Sequence, residues 1–259
     1  MQIAFLWAAA LLAGAHAYAA ELPLETCDGG FQTILAPAAS AMPARAVWLD
    51  RRLVQWPGAD AAGVFKLYHA PAGTITAPVG GRVQGADGAL ALLVSDAPLP
   101  VRFKYVGKGV TLAVGAGDFA MLPALHRQQL VLVQEAADGT VRAATRLQAA
   151  GALDDLFAAA AQTNDLGVRV SAHGAAFKLW APTAQQAAVC TYDSGTSRAS
   201  GRLPMRRDAA TGIWSASAPA GLSGKYYKYM VDVIVDGTGL VRNLVTDPYS
   251  VSLTTDSKR

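Results

Sequence analysis

Asp154 and Asp155 form the acidic doublet of this 259-residue chain and are its most evident candidates for acid–base chemistry. Hydrolysis of a glycosidic bond requires two carboxyl groups that flank the bond, about 5 to 9 Å apart. Neighbouring helix positions point about 100° apart, so adjacent carboxylates in a helix cannot face each other across a substrate. We therefore predict that both residues are acids in the first turn of a short helix, where they offset the helix dipole.

A glycine-rich loop from Gly115 to Ala120 follows an apolar strand, and Glu135 lies downstream at the distance expected for a dinucleotide-binding fold. Pro123 falls where the required helix would run. The next predicted strand begins near Leu130, which leaves too little chain for a crossover helix. The sequence therefore predicts an ordinary connection here and no cofactor.

Motifs for metal binding and nucleophilic catalysis are missing from the sequence. The histidines are scattered without metal-ligand spacing, and the cysteines form no CxxC pair: His16, His69, His126, His173, Cys27 and Cys190. No G-x-S-x-G elbow occurs either. We expect no metal site and no catalytic residue.

The two cysteines are too few for a disulfide framework. Cys27 belongs to a leader rich in glycine and proline, far from the predicted strands. Cys190 lies in an apolar strand and is predicted to be a small core residue. An exported protein could form one bridge between them, so their redox state stays open at this point.

The N-terminal segment Met1–Ala20 has the pattern of a cleaved secretory signal. Its apolar run from Ile3 to Gly14 is shorter than the roughly 20 residues that span a bilayer, and small-residue cleavage sites follow. We therefore expect a secreted or periplasmic protein without a membrane span. The net charge of +3 comes from scattered basic residues, which argues against a nucleic-acid partner.

The remaining elements must position any site, and most are short strands separated by turns. After a predicted linker over 21–44, the first domain is expected over 45–150, with strands near Ala46–Leu49, Leu53–Trp56, Val64–Tyr68, Leu90–Val94, Val101–Tyr105, Thr111–Val114, Leu130–Val133 and Val141–Leu147. Asp138-Gly139 between the last two is a hairpin signal.

A connector helix is predicted over 151–165, and a second domain over 166–259. The strands of the second domain are expected at Val168–Ser171, Ala175–Trp180, Ala187–Tyr192, Ile213–Ala216, Tyr226–Val235 and Leu240–Val245. The fold class predicted is all-β, with two immunoglobulin-like β-sandwich domains joined by a short helix.

Three motifs of the second domain carry a family resemblance. They are the strand and break FKLWAPTAQQ at 177–186, the strand GKYYKY at 224–229 with Trp214 before it, and DPYS at 247–250. This series resembles the carbohydrate-binding module of family 48 that precedes the catalytic barrel in pullulanases, isoamylases and glycogen-branching enzymes. The first domain is similar to the immunoglobulin-like domain found upstream in bacterial pullulanases. The motifs that carry this similarity are WLD at 48–50, LVQWP at 53–57 and KLY at 66–68.

This resemblance implies the accessory region of a debranching enzyme of glycoside hydrolase family 13, which hydrolyses α-1,6 links in pullulan, starch or glycogen. Its partners would be α-glucan and a catalytic barrel that begins beyond Arg259. The barrel motifs themselves are missing here, because no Asn-His pair occurs and the Arg-x-Asp at Arg206–Asp208 leads into a turn. The chain alone is expected to be inactive.

The same resemblance indicates a sugar-binding lysine at Lys228. The two tryptophans that stack on sugar in glycogen-binding relatives have no counterpart, because the corresponding loops read DSGT at 193–196 and DGTG at 236–239. Weak glucan binding is therefore expected. Trp56 precedes a Pro-Gly turn and is predicted to be an exposed platform, whereas Trp180 and Trp214 are predicted to be core residues.

Two other classes of function remain open from the sequence. One is a free-standing carbohydrate-binding or adhesion protein of the cell envelope. The other is a periplasmic structural module that docks a protein through a sheet edge. The reading frame beyond the codon for Arg259 would distinguish them from the accessory region of an enzyme.

Overall fold

The computed structural model describes residues 22–254, and the predicted signal segment lies outside this range. The first part is a strap, residues 22–37, which contains a 3-10 helix at Leu24–Asp28 and strand β1 at Gln32–Pro37. The predicted linker over 21–44 is therefore wrong for these residues. A sequence rich in proline and glycine with no period gave no strand signal, but the backbone of β1 pairs with a strand more than 200 residues later.

The first domain is a ring of seven hydrogen-bonded strands. They are β2 (Ala44–Trp48), β3 (Leu53–Pro57), β4 (Val64–Ala70), β5 (Gly88–Val94), β6 (Gly109–Val114), β7 (Gln129–Glu135) and β8 (Val141–Gln148). The order around the ring is β2-β3-β6-β5-β4-β7-β8, and a parallel pairing of β2 with β8 closes it. The predicted hairpin between β7 and β8 is present, and Gly139 there has a φ of +83°.

Alternate residues of these strands fill the interior of the ring. Its largest fully buried members are Trp48, Phe65, Leu67, Leu112 and Leu132. Burial of each large apolar side chain contributes roughly 1.5 to 3 kcal/mol. The outer face of β7 is also covered, because Val131 and Val133 pack beneath Ile75 of the long loop after β4.

The segment Val101–Tyr105, predicted as a strand, is instead a 3-10 helix at Val101–Phe103 followed by a turn. Pro98 and Pro100 precede it and have no amide hydrogen to donate to a sheet ladder. The glycine-rich loop after β6 continues as a 3-10 helix at Ala116–Met121 and helix α1 at Leu122–Leu125. No long crossover helix follows, as predicted.

The connector consists of helix α2 (Ala150–Leu156) and a 3-10 helix at Ala158–Gln162. Phe157 between them is 2% exposed and lies beneath the guanidinium of Arg207 from the second domain. Arg207 also donates to the carbonyl oxygen of Pro182. The connector therefore packs against the second domain instead of hanging between the two.

The second domain is a sandwich of two antiparallel sheets. Its strands are β9 (Gly167–Ser171), β10 (Gly174–Trp180), β11 (Gln186–Tyr192), β12 (Ala199–Pro204), β13 (Arg206–Arg207), β14 (Ile213–Pro219), β15 (Tyr226–Val235) and β16 (Gly239–Val245). One sheet has the order β1-β16-β15-β11-β12 and the other β13-β14-β10-β9. The all-β class is thus confirmed, and the core between the sheets includes Phe177, Leu179, Val189, Trp214 and Tyr229.

The strap covers the outer face of the five-stranded sheet and is bonded to it covalently. Cys27 and Cys190 form a disulfide with a Cα–Cα distance of 5.7 Å and a sequence separation of 163 residues. The interpretation of Cys190 as an apolar core residue is right about its burial, and the placement of Cys27 far from any strand is wrong. Tyr192, Met230 and Leu244 complete this outer cluster.

Candidate functional site

The acidic doublet occupies the last turn of α2, not the first as predicted, because this helix starts at Ala150. Arg51 offsets the resulting negative charge at the helix C-terminus. Its guanidinium donates to both carboxylate oxygens of Asp155, at 2.9 and 3.0 Å, and to the backbone oxygen of Asp155. These hydrogen bonds lower the pKa of Asp155. Asp154 lies 3.9 Å from Arg102, so both acids have arginine partners.

Trp56, predicted as an exposed platform, is 4% exposed, so that expectation is wrong. Its ring packs edge-on against Phe65 inside the first domain, with 6.3 Å between ring centroids. Trp56 shares the inward face of β3 with Val54, two residues earlier, and the turn at Pro57-Gly58 begins beyond it. No face of this indole is available to a sugar.

Trp214 and Trp180 differ in exposure although both lie in the four-stranded sheet. Trp214 is 6% exposed and donates from Nε1 to the carbonyl oxygen of Ala181 at 2.9 Å, so its prediction as a core residue is confirmed. Trp180 is 38% exposed and donates to the carbonyl oxygen of Thr211. It differs from the prediction because it ends β10, where the outward register continues past Ala176 and Lys178.

Lys228 lies in the middle of β15, half-buried, directly opposite Cys190 of β11. The two side chains share the face turned away from the sandwich core, because their chain neighbours Tyr229 and Val189 point into that core. This is the face that the strap covers. Lys228 has an interaction partner within the chain.

An open cleft lies at the end of the sandwich where β15 begins. Its volume is about 240 Å³, and it is lined by residues 224–227 and by Thr246, Asp247, Ser250, Ser252 and Leu253. Gly224, with a φ of +77°, turns the chain into β15. Tyr226 there is 37% exposed. The cleft thus combines two tyrosine rings, of which Tyr226 is the more exposed, with several hydroxyl groups.

The neighbouring loop supplies charge to the same cleft. Lys225 contacts the carboxylate of Asp193 at 2.7 Å. The loop that lacks a tryptophan, residues 193–196, is therefore tied to the edge of the cleft by an ion pair. A second cavity of about 160 Å³, more apolar, opens beside Tyr226 and is bordered by Val170 and Phe177.

Asp247 forms the floor of the cleft. It is 3% exposed and accepts hydrogen bonds from the hydroxyl of Tyr227 at 2.5 Å and from the backbone amide of Tyr249 at 2.8 Å. Burial, together with this carboxylate, raises the pKa of Tyr227, so its hydroxyl stays protonated and donates at physiological pH. Asp247 therefore fixes the chain as it leaves β16 and holds the cleft open.

The part of the chain that the structure describes, residues 22–254, has no cluster of three or more His, Cys, Asp or Glu residues placed to hold a metal ion. None of its helices is long and apolar enough to cross a bilayer. The cleft at Tyr226 places tyrosine rings beside hydroxyl groups, the combination that suits a small polar ligand.

Comparison with protein families matches each domain to a different model. Residues 43–155 match the pullulanase N2 domain, and residues 165–250 match the carbohydrate-binding module 48, also described as the isoamylase N-terminal domain. The chain pairs a pullulanase N2 domain with a carbohydrate-binding module 48. The family resemblance inferred from the WLD, LVQWP, FKLWAPT and DPYS motifs is confirmed.

Similar whole proteins are pullulanases. The chain is 33% identical over 216 residues to a pullulanase of Klebsiella pneumoniae, which is 83% of this chain and 20% of that protein. It is 27% identical to the chloroplastic pullulanase 1 of Arabidopsis thaliana, covering 22% of that protein. The chain thus spans about a fifth of the length of these relatives, in the accessory region that precedes their catalytic part.

Solved structures give the same result. Apo pullulanase from Klebsiella pneumoniae superposes with a TM-score of 0.74 at 28% identity, over 87% of this chain and 25% of that one. The pullulanase from the same organism complexed with maltotriose superposes with a TM-score of 0.74 at 29% identity, over 84% of this chain and 20% of that one. The tandem of N2 domain and module is therefore shared in both sequence and arrangement.

Sequence reasoning missed the residues that line the cleft of the module. In the sequence, Lys225 and Tyr226 belong to the GKYYKY motif and Ser250 belongs to the DPYS motif, and neither motif by itself predicts a cleft. A usable signal was present, because a Gly-Lys-Tyr turn and a Pro-Tyr-Ser turn flank the ends of two strands. That β15 and β16 pair, and so bring both turns together, required the three-dimensional structure.

Proposed function

We propose that this chain is the non-catalytic accessory region of a pullulanase-type α-1,6-glucosidase. In that enzyme the N2 domain and the module brace a catalytic barrel, and the module contacts α-glucan weakly. Support comes from the order of the two domains and from relatives about five times longer, one of them solved with maltotriose. Hydrolysis of pullulan, starch or glycogen belongs to the larger enzyme.

The observation that carries glucan contact is the cleft at Tyr226. Sugars bind proteins through stacking on aromatic faces together with hydrogen bonds from a few placed polar groups. Tyr226 offers a partly exposed ring, and Thr246, Ser250 and Ser252 offer hydroxyl groups beside it. Lys228 takes no direct part in this proposal while the strap covers its face.

The affinity expected from this cleft is low. One tyrosine ring at 37% exposure provides much less stacking area than two exposed tryptophans. We expect a dissociation constant for maltotriose on the order of 1 mM, which corresponds to about 4 kcal/mol. A weak site of this kind suits a module that acts beside a catalytic domain on a polymer, where a second contact is effectively intramolecular.

Titration calorimetry with maltotriose tests the site. Tyr226→Ala should weaken binding at least threefold, whereas Tyr105→Ala, which removes an equally large and 86% exposed ring from the N2 domain, should not. Equal affinities of the Tyr226→Ala variant and the unmodified chain would contradict the site. A micromolar affinity would favour the free-standing carbohydrate-binding protein.

Assays on pullulan test the non-catalytic assignment. The purified chain should release no reducing sugar above a blank, because Asp154 and Asp155 are held by arginines on one helix end. Release of sugar that disappears on substitution of a carboxylate of this chain would overturn the assignment.

We also propose export through a signal at Met1–Ala20, supported by the Cys27–Cys190 disulfide, because such bonds persist in oxidising compartments. Mass spectrometry of protein from its native host should find a mature N-terminus within a few residues of Ala20. Retention of Met1 on cytoplasmic protein would contradict export.

A further inference from the structure

The strap buries few of its side chains against the module. Among residues 22–37, Cys27 is the one residue that is fully buried. Two large apolar side chains of the strap point to solvent, since Phe31 is 71% and Ile34 55% exposed. Segments with few buried apolar contacts open with low free energies. Hydrophobic burial alone is thus a weak anchor for the strap.

The non-covalent bonds of the strap lie at the two edges of the five-stranded sheet and on its outer face. β1 pairs with β16 through five residue pairs, and a bulge between Ile34 and Ala36 interrupts the ladder. The hydroxyl of Tyr192 donates to the carbonyl oxygen of Cys27 at 2.6 Å. The amide of Ala199 donates to the carboxylate of Asp28 at 2.8 Å. Each such bond contributes little net free energy, because the undocked groups bond to water instead.

The surface beneath the strap is apolar. Cys190 and Tyr192 are 0% exposed, Met230 3% and Leu244 4%, although all four lie on the outer face of the sheet. They owe this burial to the 3-10 helix around Cys27. Removal of the strap would leave an exposed apolar bed and an open edge on β16, both of which favour association.

We propose that the redox state of Cys27 and Cys190 decides whether the strap is docked on the module. In the dithiol form the strap detaches from the sheet while both domains stay folded. Oxidation by a small-molecule or protein disulfide converts the two thiols into the Cys27–Cys190 bond and reduces the oxidant to two thiols. Two electrons and two protons pass to the oxidant in this exchange. The oxidised strap covers the bed and the edge of β16.

The docked state protects its own bond. The exposed fractions of Cys27 and Cys190 are 1% and 0%, so a reductant reaches neither sulfur while the strap is in place. Thiol–disulfide exchange depends on access to the attacked sulfur. Oxidation therefore acts as a step of maturation that sets the docked state and then shields it.

Hydrogen exchange read by mass spectrometry tests the proposal. The variant Cys27→Ala/Cys190→Ala should lose protection at least tenfold in peptides that cover β1, with unchanged protection in β7 and β10. Asp28→Ala, which removes one strap contact and keeps the disulfide, is the matched control and should change β1 less than threefold. Protection of β1 within twofold of the unmodified chain in the double variant would overturn the proposal.

A second measurement covers failure of the double variant to fold. The unmodified chain is refolded from denaturant with or without a dithiol, and each product is digested briefly with protease. We expect cleavage within residues 22–37 to be at least tenfold faster in the reduced product than in the oxidised product. Equal cleavage rates in the two products would overturn the proposal. Proteolysis of both domains in the reduced product would also overturn it, because the proposal requires that reduction detach the strap and leave the domains folded.

Discussion

Arg127 of the N2 domain and Gln185 of the module exchange hydrogen bonds across the domain interface. The guanidinium Nη2 of Arg127 donates to the carbonyl oxygen of Gln185 at 2.6 Å, and Nε2 of Gln185 donates to the carbonyl oxygen of Arg127 at 2.9 Å. Gln185 also reaches the carbonyl oxygen of Pro71 at 2.6 Å. Since each side chain satisfies the other residue's backbone, the two domains have a defined relative orientation.

The first prediction concerns this pair. Arg127→Met keeps the aliphatic stem and removes the guanidinium, which leaves the carbonyl oxygens of Ala184 and Gln185 without their donor. We expect a loss of about 2 kcal/mol from the unfolding free energy, and separate calorimetric transitions for the two domains. Arg206→Met on the exposed strand β13 is the control and should leave one transition. An unsplit transition in Arg127→Met would contradict coupling through this pair.

The second prediction concerns His126 in the core of the N2 domain. Its ring is 5% exposed and lies 4.4 Å from that of Trp48, and burial lowers its pKa to about 4. In the unfolded chain the histidine has a pKa of about 6.5. The stability that the fold gains by holding His126 neutral is therefore fully present above that pH. It declines as the pH falls towards 4, by about 3 kcal/mol in total.

Urea denaturation of the N2 domain at pH 7 and pH 4.5 measures this effect. His126→Phe keeps an aromatic ring beside Trp48 and should flatten the fall in stability between the two pH values. His173→Phe, at an exposed turn, should leave it as in the unmodified chain. Parallel pH profiles for His126→Phe and the unmodified chain would refute the assignment.

The third prediction concerns Trp56. Because its indole is buried against Phe65, Trp56→Ala should lower the unfolding free energy by about 3 to 5 kcal/mol and leave the glucan affinity of the folded protein unchanged. Trp180→Ala, at a partly exposed strand end, should cost about 1 kcal/mol. A glucan affinity that falls with Trp56→Ala at constant stability would restore this residue as a platform.

The fourth prediction concerns the crossing of the strap between the domains. Gly239 has a φ of +109°, and a Cβ there would collide with the carbonyl oxygen of Ala36 and the amide of Ala38. Gly237 has a φ of +75° and open space around it. Gly237→Ala should cost about 1 kcal/mol from its φ alone, and Gly239→Ala about 2 kcal/mol more. Equal losses in urea denaturation would show that the strap does not constrain Gly239.

Most strands of both domains were predictable because alternation of buried apolar residues is preserved in them, as in β4 and β6. β12 was not, since Ala199–Pro204 contains Ser, Gly and Arg and carries little apolar signal. It exists because β11 beside it offers a complete ladder of backbone partners. The strand β1 of the strap also lacks a local signal. Its pairing with β16 spans about 200 residues of sequence, and such pairing leaves no local pattern.

The candidate site was less predictable than the fold. The family resemblance indicates Lys228 as a candidate. The strap that covers its face of the sheet is bonded through Cys27, which lies 201 residues earlier in the sequence and shares no local pattern with it. Trp56 was misassigned because a Pro-Gly turn indicates exposure of the turn and says nothing about the face of the preceding residue. Orientation within a strand that is buried on both faces follows from packing, which local sequence does not encode.

The pairing of β1 with β16 has a consequence for synthesis. Gln32 leaves the ribosome 211 residues before its partner Asn243. Until β16 is synthesised, β1 has no partner strand. The N2 domain can complete its ring of strands during that interval. The strap is made before both domains and is the last of the three to pair. A nascent chain halted within the module would therefore carry an unpaired strand ahead of the N2 domain.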